Sequence, residues 1–389
     1  DLYVTALGGQ SGATGRIQEA IDVVSGSTVN IGSGTFNESI ILAADFATDN
    51  LTISGDAAGA TLVTGGVRTF NTADISDLTF ENIELSGKAS GSNAIFRMDN
   101  PGTVTNLTLD NMVIDGESVY YSNGVYAKNL AGDVTVTDSE FKDILGWVVF
   151  DTDPTNGSGS STQVLDNITF SGNYIHNVNG TVALRGNAVD TTDVVTVSIN
   201  HWTTIGGNAG HNSWQWAAVE VNHAEQLDMQ DNVIESVIVG DFGHGAAAEL
   251  WDIDTLDISN NTFKNNFAGI YIFDGGGAFG GPFAVPGGTI SDNSIYGNSE
   301  YTIYVGPDAT GGPLNASGNW WGTTDEAEID AGMQGLADGV DFTPFLMSGS
   351  DTDGGTAGFQ GDFSDLYVTA LGGQSGATGR IQEAIDVVS

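Results

Sequence analysis

The sequence predicts an all-β fold: a right-handed parallel β-helix of about ten to twelve coils, closed at its start by an N-terminal capping α-helix. Three observations predict it. A strand template recurs at near-constant spacing, a second strand follows each first one in the same register, and an asparagine returns to one template position.

The template is apolar-x-apolar-x-x-(Asn, small or apolar)-x-apolar. It occurs as LTFENIEL (78–85), LTLDNMVI (107–114), VTVTDSEF (134–141), ITFSGNYI (168–175), VSINHWTT (197–204), LDMQDNVI (227–234), LDISNNTF (256–263), TISDNSI (289–295, one residue short) and LNASGNWW (314–321). Its third positions are Phe80, Leu109, Val136, Phe170, Ile199, Met229, Ile258, Ile290 and Ala316, spaced by 26 to 34 residues, one solenoid coil each. Within the template the alternation has period 2, the strand period, so inward side chains are expected to stack coil upon coil.

The second strands are AIFRM (94–98), GVYAK (124–128), WVVFD (147–151), TVALR (181–185), AVEV (218–221), AAEL (247–250), GIYIF (269–273) and TIYV (302–305). The inward pairs read Phe96/Met98, Val125/Ala127, Val148/Phe150, Val182/Leu184, Val219/Val221, Ala248/Leu250, Ile270/Ile272 and Ile303/Val305, all apolar. Asn173, Asn232, Asn261, Asn293 and Asn319 share one template position. Stacked asparagines hydrogen-bond each other and tolerate the backbone of a tight bend, so an asparagine ladder is expected.

At the start, residues 14–25 predict the helix, with Ile17, Ala20, Ile21 and Val24 as one apolar stripe. An open β-helix end exposes unpaired strand and core, and this helix is its cover. Residues 365–389 repeat residues 1–25 without a substitution. The expected organisation is a β-helix domain over 1–348, a Gly- and Asp-rich linker over 349–364, and at 365–389 the beginning of a further tandem copy.

Acidic residues outnumber basic ones 50 to 9, for a formal charge of −41. Such a surface repels nucleic acid and anionic membrane and attracts divalent cations. The 40% apolar content and its regular spacing exclude an acidic disordered chain. The 389 residues contain no cysteine, hence no disulfide or thiolate metal site, and no apolar run long enough to span a membrane. With Asp1 first and no leader, the segment is expected to be excised or mature, and the protein secreted or on a cell surface.

RIQEAIDVVSGSTVNIGSGTFNESI (16–40) resembles the opening of pectate-lyase-like β-helix proteins, and GNWWG (318–322) resembles the closing coil of bacterial surface β-helix repeats. The resemblance covers about residues 1–345. It implies the fold but not the function, because such scaffolds carry lyases, hydrolases, epimerases, tailspikes and structural stalks. The family's signatures are mostly missing: no adjacent Asp pair, no Arg-x-Lys and no Arg-x-x-Pro-x-x-Arg. YIFDGG (271–276), with Phe273 and Asp274, has a faint likeness to epimerase motifs and lacks their Pro-His.

Two readings of function remain. The first is a non-enzymatic structural or adhesive repeat, forming stiff rods or head-to-tail filaments with further copies of itself. Its assembly residues are Ile17, Ile21, Ile381 and Ile385 of the cap helices and Asn319 and Trp321 of the closing coil, on which 365–389 is expected to dock. The second is a polysaccharide-active enzyme or carbohydrate-binding module using the outward face of one sheet. On that face the second strands place Arg97, Tyr126, Val149, Ala183, Glu220, Glu249, Tyr271 and Tyr304 in one column, and Asp99, Lys128, Asp151, Arg185, Asn222, Trp251, Phe273 and Gly306 in the next. Arg97, Tyr126, Lys128, Arg185, Trp251 and Tyr271 are the candidate saccharide contacts. If the chain is an enzyme, Glu220 and Glu249 on neighbouring rungs are its carboxylate pair, with Arg185 and Asp151 beside them. Calcium is the one cofactor considered, at Asp351 and Asp353 in the linker, where short oxygen ligands precede glycines. His201, His211 and His223, near HNSWQW (211–216), lack metal-ligand spacing and read instead as part of an aromatic loop.

Overall fold

The computed structural model describes residues 1–11, 14–25, 28–43, 49–57, 59–70, 74–88, 91–98, 102–119, 122–153, 164–187, 191–206, 217–238, 245–275, 281–335 and 339–388. The chain is an all-β parallel β-solenoid with short helices. It divides into two units, Asp1–Asp193 with 208–214, and Val194–Gly207 with 215–389.

In the first unit each coil runs through three strand segments. Strands Ile75–Glu81, Val104–Asp110, Leu130–Thr137 and Leu165–Ser171 pair in parallel. They stack Leu78, Leu107, Val134 and Ile168 in one inward column and Phe80, Leu109, Val136 and Phe170 in the next. All eight are essentially fully buried, as the alternation predicts. Glu84–Ser86, Val113–Asp115, Glu140–Lys142 and Tyr174–Val178 form the next face. Val67–Phe70, Ala94–Met98, Asn123–Lys128, Val148–Asp153 and Thr181–Arg185 form the third. Phe141, Phe150 and Phe170 meet in the interior with centroids 5.7 to 6.2 Å apart, an aromatic core on which three faces converge.

The third face corrects one predicted register. Val125 pairs with Phe150 and Ala127 with Thr152, so the inward pair is Phe150/Thr152 and not Val148/Phe150. The ladder shifts between Val148 and Phe150, and Val149 is buried. An irregularity of this kind moves every later side chain along the column. Asp151, not Val149, therefore stands beside Tyr126.

Helix α1 spans Arg16–Val23 and buries Ile17, Ala20 and Ile21. Gly15 supplies no side-chain cap. Instead the Glu38 carboxylate accepts the Ile17 and Gln18 backbone N–H groups at 3.1–3.2 Å. Those are orphan donors at a helix N-terminus, where negative charge is also favoured. The Gln18 amide donates to the Ile41 carbonyl and accepts its N–H, at 2.9 and 2.8 Å. Leu2–Val4 pairs in parallel with Val29–Ile31 of the first coil.

In the second unit Ala217–Gln230 and Ala246–Ser259 are 14-residue strands that pair in parallel and join two faces of the coil. Val219/Val221, Ala248/Leu250, Ile270/Ile272 and Ile303/Val305 stack inward as predicted. The asparagine ladder is present here. The side-chain oxygen of each asparagine accepts both the backbone N–H and the amide N–H of the one before it, at 2.8–3.0 Å, along Asn200, Asn232, Asn261, Asn293 and Asn319. All five are at most 2% exposed, so each buried polar group is satisfied by its neighbour. A shorter second ladder joins Val237, Asn266 and Asn298.

Asn200 corrects the alignment of VSINHWTT. His201 pairs with Val233 and Trp202 with Ile234, so the strand that fits the template begins at Val195. Val197 is the buried residue, and Ile199 is 55% exposed. The corner conformation belongs to the residue before each ladder asparagine: Ile199, Asp231, Asn260, Asp292 and Gly318 have φ of +55° to +77°.

The polypeptide then adds a partial coil. Leu314–Asn315 pairs with Val340–Asp341, and Leu346 donates its N–H to the Asn319 carbonyl. Between these segments lies helix α2, Glu326–Gly332, capped by the Asp325 side chain. Residues 349–364 return along the ladder corner. Phe359 is buried and donates its N–H to the Asn260 carbonyl, and Gly361 donates to the Asp292 carboxylate at 2.7 Å.

Candidate functional site

On the outward side of the third face of the first unit, Arg68 pairs with Arg97, Arg97 with Tyr126, and Tyr126 with Asp151. Outward projection follows from the inward burial of Phe96 and Met98 on either side of Arg97. The Arg97 guanidinium lies 5.5 Å from the Tyr126 ring centroid and the Lys128 ammonium 4.8 Å from it, so one aromatic ring carries two cations. Arg97 also donates to the Asn93 side chain. One rung further, the Arg185 guanidinium lies 3.7 Å from the carboxylate of Asp151, which is 4% exposed against 37% for Arg185. The predicted residues Arg97, Tyr126, Lys128, Asp151 and Arg185 are thus brought to one face. Arg68 was missed by the sequence reading, because VRTF (67–70) lies in an early coil without the full template. It raises this group to four of the nine basic residues.

The second unit carries a different face. Glu220 pairs with Glu249, Glu249 with Tyr271, and Tyr271 with Tyr304, while Asn222 pairs with Trp251. The two carboxylates are 6% and 5% exposed and sit on neighbouring strands, roughly 4.8 Å apart in backbone spacing. Asn222 donates to Glu220 at 2.8 Å. Burial pushes the Tyr271 hydroxyl pKa up, and the Glu249 charge, Tyr304 and Asp274 add to it. Tyr301 is pushed up in the same way, by burial and then by Glu249. Both phenols therefore stay protonated across the neutral range.

Beside this column His223 meets Asp252 at 2.5 Å, Nδ1 to Oδ2. Both residues occupy left-handed corner positions, with φ of +55° and +53°. Trp251 packs edge-on against the imidazole at 4.8 Å, and Phe283 at 6.3 Å. Asp274, from the YIFD segment, is buried and accepts the Asp308 N–H at 3.1 Å. Arg185 and Asp151 belong to the first unit, and Glu220 and Glu249 to the second.

His201 bonds to Glu235 at 2.9 Å, and Lys264 bonds to the other oxygen of the same carboxylate at 3.0 Å. Burial alone would raise the Glu235 pKa, but these two partners outweigh it and hold it below the usual range. His201 and His223 are therefore each engaged by a carboxylate, while His211 and HNSWQW lie outside the described residues. Among the described residues no group of three or more histidines and carboxylates is arranged to hold a metal ion.

Asp351 and Asp353 lie in one short turn. Asp351 accepts the Asp353 and Gln360 N–H groups, and Asp353 accepts the Gly355 N–H and the Thr356 hydroxyl. Asp292 is raised in pKa by burial; the Gly361 N–H opposes this, and the Asp351 charge adds to it.

Ile17 and Ile21 are buried under α1, whereas Ile381 and Ile385 are 71% and 59% exposed. Asn319 and Trp321 are buried. The segment from 365 rests on residues 340–346 instead, because those residues add a partial coil beyond Asn319 and Trp321. Leu366–Tyr367 pairs antiparallel with Phe345–Leu346, and Asp341 accepts the Ser375 N–H and hydroxyl. A cleft of about 630 Å³ opens here, with Glu383, Asp386 and Val387 on one side and Thr289, Asn315 and Pro344 on the other.

These features define a parallel β-helix with two polar sheet faces, one basic and one acidic–aromatic. No family model matches the chain, and no curated protein sequence matches it. Among solved structures it is similar to the A-modules of two mannuronan C-5 epimerases from Azotobacter vinelandii. With AlgE6 the identity is 15%, covering 83% of this chain and 91% of that one, at a TM-score of 0.42. With AlgE4 the identity is 15%, covering 82% and 91%, at 0.41. It is also similar to the PL6 family alginate lyase AlyGC, at 15% identity, 92% and 55% coverage and a TM-score of 0.34. The likeness is one of fold and not of chemistry. Among the described residues no helix is long and apolar enough to cross a membrane.

Proposed function

We propose that the chain binds an acidic polysaccharide, one bearing carboxylate or sulfate groups, along the basic face of its first unit. One observation carries this reading. In a protein with 50 acidic residues, four of only nine basic ones, Arg68, Arg97, Lys128 and Arg185, lie on one sheet face of the first unit, with Arg97 and Lys128 against the Tyr126 ring. Guanidinium groups recognise carboxylate or sulfate with forked hydrogen bonds. A secreted or surface location belongs to the same proposal.

The test is affinity electrophoresis and calorimetry against polymannuronate, polygalacturonate, a sulfated glycan and a neutral glucan. The native protein is expected to bind an anionic polymer and not the neutral one. The double variant Arg68→Ala/Arg97→Ala is expected to lose at least about tenfold in affinity, about 1.4 kcal/mol, with an unchanged melting temperature. No binding to any anionic polymer, or equal binding by the variant, sinks the reading.

A second reading, that the acidic face turns over glycan, is favoured by the paired burial of Glu220 and Glu249. Protonated Tyr271 stands beside Glu249. Product assays for new reducing ends and for unsaturated sugars decide it. Activity that Glu249→Gln abolishes supports turnover, and a native protein inert on every polymer leaves binding alone.

A further inference from the structure

Residues 1–24 and 365–388 have one sequence, and the described residues of the two copies make similar internal hydrogen bonds. Arg16 donates to the carbonyls of Thr5, Leu7 and Gly8, and Arg380 to those of Thr369, Gly372 and Gly373. Gln10 joins the Thr14 carbonyl to Glu19, and Gln374 joins the Thr378 carbonyl to Glu383. The helices, α1 and helix α3 (Arg380–Val387), have matching bounds.

They differ in what covers them. In the first copy Ile17 and Ile21 are 0% and 1% exposed, Glu38 caps the helix, and Gln18 bonds to the Ile41 backbone. In the second copy no helical residue is buried, and Ile381 and Ile385 face outward with Val387 and Val388 about half exposed.

We infer that the exposed face of α3 is the seat for the first coil of a second copy of this unit, a sequence matching residues 28–43 and following α3 in the same polypeptide. The occupant is identified by the molecule itself, because an identical helix is seen with its cover in place. Covalent continuation follows from energetics. The first coil of a separate chain is already covered by its own tethered α1, so exchange for α3 gains no contact and loses association entropy. Only a coil without a cap helix of its own gains by burying Ile381 and Ile385. The inference is independent of saccharide binding.

The absence of native cysteine makes thiol labelling a clean readout. Ile385→Cys and, as an exposed control, Asp386→Cys are each made in the present chain and in a chain extended beyond Ser389 by a copy of residues 26–364. Extension is expected to slow labelling at Ile385→Cys at least tenfold while leaving Asp386→Cys unchanged. Equal labelling of Ile385→Cys in both chains overturns the inference. Protection produced by merely mixing in a separate copy overturns the covalent assignment. Because a cysteine can itself weaken packing, amide exchange over 380–387 in the unsubstituted chains is the second measurement. Slowed exchange at the Ile381 and Gln382 N–H groups on extension is expected, since the counterpart of Glu38 then accepts them, and unchanged exchange overturns the inference.

Discussion

Ile199 occupies a corner with φ of +57°, a conformation that a β-branched side chain tolerates poorly. The same corner in its unit is held by Asp231, Asn260, Asp292 and Gly318, residue types suited to it. Because Ile199 is 55% exposed, no core packing is lost on replacing it. Ile199→Asn is therefore expected to stabilise the protein by about 1 kcal/mol, measured by urea unfolding. Asp292, at an equivalent corner, has a raised pKa from burial, with the Asp351 charge adding to it. A carboxyl whose folded pKa exceeds its unfolded value contributes stability that is complete below the unfolded pKa and lost as pH rises through the folded one. Asp292→Asn keeps an oxygen for the Gly361 N–H and removes the charge. Its melting temperature is expected to exceed that of the native protein at about pH 7 and to converge with it in acid; a constant difference across the titration would contradict this origin.

Among the elements, the ladder is the most sensitive. Asn261 accepts two N–H groups from Asn232 and donates to the Met229 carbonyl, all buried. Asn261→Ala removes these buried bonds and takes from the Asn232 backbone N–H its acceptor, and a loss of about 2–4 kcal/mol is expected in denaturant unfolding. A loss below about 0.5 kcal/mol would show that the stack does not hold the corner. The ladder was legible in the sequence because the asparagines recur at fixed offsets from alternating apolar residues. Asn200 was not, since Ile199 supplied an apolar residue two places off the true register, and the left-handed corner that exposes it leaves no hydrophobic signal. The shift at Val148–Phe150 was hidden for a related reason, since Trp147, Val148, Val149 and Phe150 form an apolar run in which no alternation stands out. Residues 349–364 were read as a linker because a strap that lies close against backbone and a free spacer both call for glycine. Gly358 shows the difference: with φ of +82°, an added Cβ would lie 2.0 Å from the Asn260 carbonyl. In the candidate site, Arg97, Tyr126, Lys128 and Arg185 followed from strand alternation, whereas the His223–Asp252 contact depends on two corner conformations that no local pattern encodes.

For the molecule as a whole, a formal charge of −41 means strong self-repulsion, which dissolved salt screens. The melting temperature is expected to rise between about 10 mM and 150 mM salt, while affinity for an acidic polysaccharide falls over the same interval because its attraction to the basic face is screened. The two trends, read by calorimetry and by affinity electrophoresis, have opposite sign. A binding affinity that rose with salt would exclude recognition by charge.

The ladder contacts of the second unit join residues 26 to 32 positions apart in sequence. That separation is one coil, and it stays the same however many coils are stacked. The chain segment that must be closed to form each new contact is therefore short and constant, so its loop-closure entropy does not grow as the stack lengthens. A polypeptide of this design can add coils one after another onto any formed turn, as in a one-dimensional nearest-neighbour process. Its folding time is then set by making the first coil rather than by total length, and copies could be duplicated along a gene without slowing the kinetics of the one already in place.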